Sequence, residues 1–88
     1  MKKIKIVIPV FNDWQSLSKL LENINNEISK LEVEISVIIV NDASTESRPE
    51  INLNLNNIKS IQVINMKENR GHARCIAAGL KYIFENEE

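Results

Sequence analysis

The residues able to do chemistry fall in three short polar runs, each directly after a stretch rich in Ile and Val. These runs are Phe11-Asn12-Asp13, Asn41-Asp42-Ala43-Ser44-Thr45, and Lys67-Glu68-Asn69-Arg70-Gly71-His72. A carboxylate such as Asp42 or Asp13 accepts a hydrogen bond from a ligand N–H, and Ser44 or Thr45 can turn the chain or cap a helix start. Phe11 offers a π-face, Arg70 and His72 offer cations, and a helix starting near His72 would offer unpaired N–H groups. Together the set suits a nucleotide: a ring for the base, a carboxylate for a base N–H, cations and helix amides for phosphate. Taken alone, the middle run reads equally well as a plain strand-to-helix turn, since turn residues and site residues are the same types. With only two glycines, Gly71 and Gly79, the chain can hold neither a GxGxxG turn nor a GxxxxGK[ST] phosphate loop. Phosphate would then have to be held by side chains or by a metal.

The elements that must position these runs are legible from periodicity. Val33 to Val40 ends in an unbroken apolar run, as expected of a strand buried on both faces of a parallel sheet. Lys3 to Val10 reads as a strand that ends or frays at Pro9, which has no N–H to give a ladder. Asn12 or Asp13 is a natural N-cap for the next helix. That helix carries Trp14, Leu17, Leu20, Leu21, Ile24, Ile28 and Leu31 on one stripe, with Lys19, Glu22, Asn25, Asn26 and Lys30 on a face read as solvated. The segment 46–57 reads as irregular, with Pro49 able to start one or two helical turns. Ile58 to Met66 is a third strand. A last helix over His72 to Phe84 should bury Ala73, Ile76, Ala77, Leu80, Ile83 and Phe84, leaving Cys75 on the opposite side. Its small early residues allow a close approach to the sheet. The expected fold is α/β, a Rossmann-like parallel three-stranded sheet with flanking helices and a right-handed crossover. All three polar runs then meet at the carboxyl ends of the strands, where open α/β sheets bind ligands.

Composition limits the alternatives. At 88 residues the chain is one small domain, burying roughly 60–65% of its unfolded surface. A net charge of −1 argues against a general nucleic-acid binder. The single Cys75 permits no internal disulfide and suits a reducing cytoplasm. No apolar run reaches the length of a membrane span, and the Lys-Lys start does not read as a signal peptide. The acidic ending Glu85-Asn86-Glu87-Glu88 has the wrong sign for a helix C-terminus and carries no stop signal, so the ending reads as arbitrary.

In order and spacing, three signatures resemble the start of a family 2 glycosyltransferase of the GT-A fold. They are Pro9-Val10-Phe11-Asn12-Asp13, Asn41-Asp42-Ala43-Ser44-Thr45-Glu46, and Asn69-Arg70-Gly71-His72-Ala73 with Ala77-Ala78-Gly79-Leu80. The resemblance covers essentially the whole chain. It implies a nucleotide-sugar donor, with a UDP-sugar favoured. Pro9 and Phe11 would line the base and ribose pocket, Asp13 would lie near the donor, and Asp42 would meet the base N–H. Ser44, Arg70, Gly71 and His72 would complete the contacts. The N-x-G-H loop and A-x-G-L helix look most like the branch that transfers sugars to polyprenyl phosphates. Asn41 and Ala43 depart from the commoner Asp and Gly, which makes the loop less acidic and less permissive of positive φ. The family's D-x-D motif, which holds Mg or Mn and the sugar diphosphate in a complete enzyme, occurs nowhere in the sequence. The resemblance therefore implies a donor-binding half-domain, inactive alone, with no catalytic residue or metal ligand of its own. An open sheet edge would allow self-association, and the whole protein could be membrane-associated. The alternative is a non-catalytic nucleotide-binding or regulatory module. A receiver-like signalling domain fits poorly, because the first strand exits into a single acid.

Overall fold

The computed structural model describes residues 2–45 and 55–86. Three strands, β1 (Lys2–Val10), β2 (Val33–Asn41) and β3 (Ser60–Asn65), form one parallel sheet in the order β1-β2-β3. Helix α1 (Trp14–Ile28) connects β1 to β2, and α2 (His72–Glu85) comes after β3. The central strand explains the apolar run: Ile35, Val37, Ile38, Ile39 and Val40 are all buried, because both faces of β2 are covered. On one face Ile35, Val37 and Ile39 pack with Trp14, Leu17, Leu21 and Ile28 of α1. On the other, Ile38 and Val40 pack with Cys75 of α2, with Val7, Ile64, Tyr82 and Ile83 around them.

Four details differ from the expectations drawn from sequence. Pro9 does not end β1; it stands opposite Val40 within the ladder. The Val10 carbonyl accepts the Asp42 N–H at 2.8 Å, so Val10 faces β2 and Pro9 turns its missing donor toward the outer edge, where a proline is tolerated. Helix α1 stops at Ile28, and the tight turns Lys30 N–H to Glu27 C=O and Leu31 N–H to Ile28 C=O carry Leu31 off the stripe into solvent. Asn25 is buried and not solvated: its Oδ1 accepts the Asn57 N–H at 2.8 Å, and its carbonyl accepts the Asn57 Nδ2 at 2.9 Å. This clasp ties α1 to the segment that leads into β3.

The fourth difference is the orientation of α2. Cys75 and Gly79 are its buried residues, while Ala73, Ile76, Ala77, Leu80 and Phe84 are exposed. Only Ile83 of the expected stripe is even half-buried. The apolar arc of α2 is wider than one sheet face can cover, and the smallest residue decides which part docks. A Cβ on Gly79 would stand 2.5 Å from Val7 Cγ1 and 3.3 Å from Val40 Cγ2, so the helix backbone lies on the sheet at that point. For the segment 46–57, Glu46, Pro49, Ile51 and Leu53 lie outside the described residues. Within it, Leu55 packs against the α1 face and precedes a turn at Ile58.

Candidate functional site

The parallel sheet brings all three strand exits to one end, and side-chain hydrogen bonds lock them together. From β1, the Asn12 N–H donates to Ser44 Oγ at 3.0 Å and Asn12 Nδ2 donates to Thr45 Oγ1 at 2.9 Å. From β2, Asn41 Oδ1 accepts the Ser44 N–H at 3.0 Å and the Ser44 hydroxyl as well. Asn41 Nδ2 donates to Asn65 Oδ1 of β3 at 3.1 Å. Asn41 thus uses both ends of its amide, as acceptor and donor; an ionised Asp at this place has no donor to offer.

Asp42 holds the third loop. Its Oδ1 accepts the Arg70 main-chain N–H at 2.7 Å and its Oδ2 accepts the Gly71 N–H at 2.9 Å. The residue is 1% exposed, so its ligands in this structure are the chain's own amides. Those bonds, the Arg70 N–H foremost, hold its carboxyl below the usual carboxylate range. Burial opposes them, while the Cys75 thiol, the Gly71 N–H and the nearby His72 reinforce them. Two residues of the loops take left-handed backbone, Asn12 at φ 62° and Ala43 at φ 57°, and Gly71 lies at φ 85°. Gly71 occupies the N-cap position of α2, which carries no side-chain cap; the Asp42 carboxylate sits on the amides that lead into it.

The site residues read from sequence separate into two groups. Asp42, Ser44, Arg70, Gly71 and His72 come together, and the Asn12 bonds tie the loop that follows Pro9 and Phe11 to Ser44 and Thr45. Asp13 stands at the N-cap position of α1 but its side chain makes no capping bond; the Asp13 carbonyl accepts the Leu17 N–H instead. Asp13 is exposed, as are His72 and Arg70, whose guanidinium pairs with Glu68 at 3.2 Å. Sequence reasoning missed Asn41 and Asn65 as a cross-strand pair, visible in principle as amides at the ends of neighbouring parallel strands. It also missed Cys75, four residues after Gly71 and so on the same helix face.

A groove of about 440 Å³ lies at the opposite, amino end of the sheet, lined among others by Lys3, Lys5, Ser36, Gln62 and Tyr82. Its Lys59 is already paired with Glu34 at 3.1 Å, and no convergent set of buried polar groups marks it. Among the described residues no three His, Cys, Asp or Glu side chains are grouped so as to hold a metal ion, and no helix is long and apolar enough to cross a membrane.

The family described as glycosyl transferase family 2 matches residues 5–85. The chain belongs to that family. An undecaprenyl-phosphate 4-deoxy-4-formamido-L-arabinose transferase of Proteus mirabilis (strain HI4320) is 32% identical over 74 residues, covering 84% of this chain and 23% of the relative. The chain thus spans about a quarter of that relative's length. The relative's name places it in the polyprenyl-phosphate branch, the branch that the N-x-G-H loop resembles. No solved structure matches the chain. The parallel sheet with a helix on each face agrees with the N-terminal half of the GT-A fold of family 2 glycosyltransferases.

Proposed function

We propose that this chain is the donor-binding half of a family 2 glycosyltransferase, taking a nucleotide-diphosphate sugar, a UDP-sugar by preference, for transfer to a polyprenyl phosphate. The observation that carries this reading is the clasp of three strand-exit loops at the carboxyl edge, in a chain that the family matches from residue 5 to 85. Pro9 and Phe11 wall the base and ribose, with Ser44 beside them and Asp13 at the pocket's outer rim. Arg70, Gly71 and His72, at the start of α2, receive the phosphates through cations and helix amides. Asp42 meets the base N–H in exchange for part of its bonding to the Arg70 and Gly71 amides, which requires the 69–71 loop to shift and admit the base edge. The Proteus mirabilis transferase supports the choice of acceptor.

A divalent metal, Mg or Mn, belongs to the complete enzyme in this reading. The described residues do not fit one: Asp42 is turned to main-chain amides, and no three His, Cys, Asp or Glu side chains among them are grouped around such an ion. No step of transfer is assigned to this chain's residues, and the chain alone is expected to bind donor without turnover. The free, buried Cys75 supports a cytoplasmic setting, and the open outer edge of β1 supports self-association.

Titration calorimetry with UDP tests the reading. Binding by the wild type and a loss of about 10- to 100-fold in Asp42→Ala is expected, the size of one charge-assisted hydrogen bond. Equal affinity in the two proteins would remove Asp42 from the site, and no binding by either would end the donor reading for this chain.

A further inference from the structure

Across the carboxyl ends of β1, β2 and β3 runs a chain of side-chain hydrogen bonds whose direction is set by main-chain groups. The Ser44 N–H donates to Asn41 Oδ1 at 3.0 Å. A main-chain amide only donates, so the Asn41 side chain must turn its oxygen to Ser44 and its Nδ2 away, to Asn65 Oδ1 at 3.1 Å. The Ser44 hydroxyl faces the same Asn41 oxygen and spends its one hydrogen there. Its lone pairs are left for the Asn12 N–H, which reaches it at 3.0 Å from the exit of β1. Asn12 stands at φ 62° directly after Phe11, so the bond holds a turn already bent into left-handed backbone. Alternation along the strands puts Asn41 on the side of Ile39 and Asn65 on the side of Val63, toward α1. The bonds of Asp42 to Arg70 and Gly71 form a separate clasp, at the start of α2.

We propose that Ser44 is a positioning residue of the candidate donor site: its hydroxyl, aimed by Asn41, joins the β1 exit to the β2 exit and so sets the turn that carries Phe11. The same geometry fixes what Ser44 does not do. With its hydrogen given to Asn41, it has none to offer a phosphate oxygen, and it meets a ligand only as an acceptor. Asn41 serves the joint through its oxygen. Its donor end serves only Asn65, which is exposed and whose amide has room to turn over. An aspartate at position 41 would therefore keep the joint, with Asn65 Nδ2 donating to its second oxygen.

Amide hydrogen exchange in the ligand-free protein, with the variants Ser44→Ala, Asn41→Ala and Asn41→Asp, tests the joint. Both alanine variants should quicken exchange of the Asn12 amide by about three- to tenfold, the size of one neutral hydrogen bond. The Arg70 and Gly71 amides, held by Asp42, should keep the wild-type rate, and Asn41→Asp should keep Asn12 protected. A serine that only met the ligand would leave the Asn12 amide unchanged in Ser44→Ala. A general loss of stability would quicken all three amides together. Either result would overturn the proposal, as would an Asn41→Asp variant that exchanges as fast as Asn41→Ala. Failure of both alanine variants to fold would also overturn it, because the bonds would then be holding the fold and not the turn. Titration calorimetry with UDP tests the purpose: Ser44→Ala should bind about three- to tenfold more weakly than the wild type. Equal affinity beside a faster Asn12 amide would show that the joint does not position the site, and would overturn the proposal. That purpose rests on the donor-site reading; absence of UDP binding by the wild type would end that reading, while the exchange rates, which use no nucleotide, would still decide the joint.

Discussion

At the scale of the residue, Ala43 carries the clearest local strain. It sits at φ 57° directly after Asp42, in a region where an L-residue with a Cβ costs roughly 1–2 kcal/mol. Asn12, at φ 62°, is better suited, because asparagine tolerates this backbone and its side chain is bound to Thr45. Ala43 has no such compensation; it is held there by the Asp42 bonds before it and the Ser44 bonds after it. Ala43→Gly should therefore raise stability by about 0.5–1 kcal/mol, the relief of strain less the entropy that glycine adds to the unfolded chain. A urea midpoint at or below that of the wild type would show that the loop is not strained. The departure from the family's glycine was visible in the sequence. Its consequence was not, because sequence alone did not show whether the turn would change shape or keep it under strain.

At the scale of the element, β2 and α1 were legible and α2 was not. An unbroken Val-Ile run has one good explanation, a strand covered on both faces, and β2 fits it. The stripe of α1 holds at Trp14, Leu17, Leu21 and Ile28 and fails at its margins, where Leu20 and Leu31 are exposed. In α2 the periodicity marks a broad apolar arc, and of the stripe expected to be buried, Ala73, Ile76, Ala77, Leu80, Ile83 and Phe84, only Ile83 is even half-buried. Close approach at Gly79 sets the rotation of the helix and puts Cys75, not Ile76, against the sheet. A glycine read as a docking point would have rotated the prediction correctly. Gly79→Ala tests this directly. The new methyl would meet Val7, a short β-branched side chain fixed on a strand, at 2.5 Å. Overpacking of that kind costs about 1–3 kcal/mol, against about 1 kcal/mol gained in helix propensity. Net destabilisation of about 1 kcal/mol or more is expected from chemical denaturation; a variant as stable as the wild type would mean that α2 docks less closely.

At the scale of the molecule, two surfaces stand open among the described residues. β1 is an outer strand of the sheet, and α2 lies over β1 and β2 with Ile76 at 41%, Leu80 at 56% and Phe84 at 80% exposure. The strand edge is blunted at both ends, by exposed Lys2, Lys3 and Lys5 at its start and by Pro9 near its finish. Such residues limit edge-to-edge pairing, so backbone pairing alone, confined to the middle of β1, is a weak drive. The helix flank adds to it. Full burial of an exposed Leu, Ile or Phe contributes about 1.5–3 kcal/mol. Three such residues on each of two copies are already partly buried and so supply only part of that figure, and both the helix flank and the strand edge are needed to exceed an association cost of about 4–15 kcal/mol. That balance predicts dimers or larger species at micromolar concentration rather than at nanomolar. Sedimentation velocity from about 1 to 100 μM, the range in which such a balance shows, should reveal a concentration-dependent rise in size. The double variant Leu80→Glu with Phe84→Glu should shift it to higher concentration, because it leaves β1 intact while removing the apolar part of the drive. A folded monomer throughout that range would mean that the lysines and Pro9 suffice to keep the edge closed. If the double variant associates as readily as the wild type, the strand edge and not the helix carries the contact.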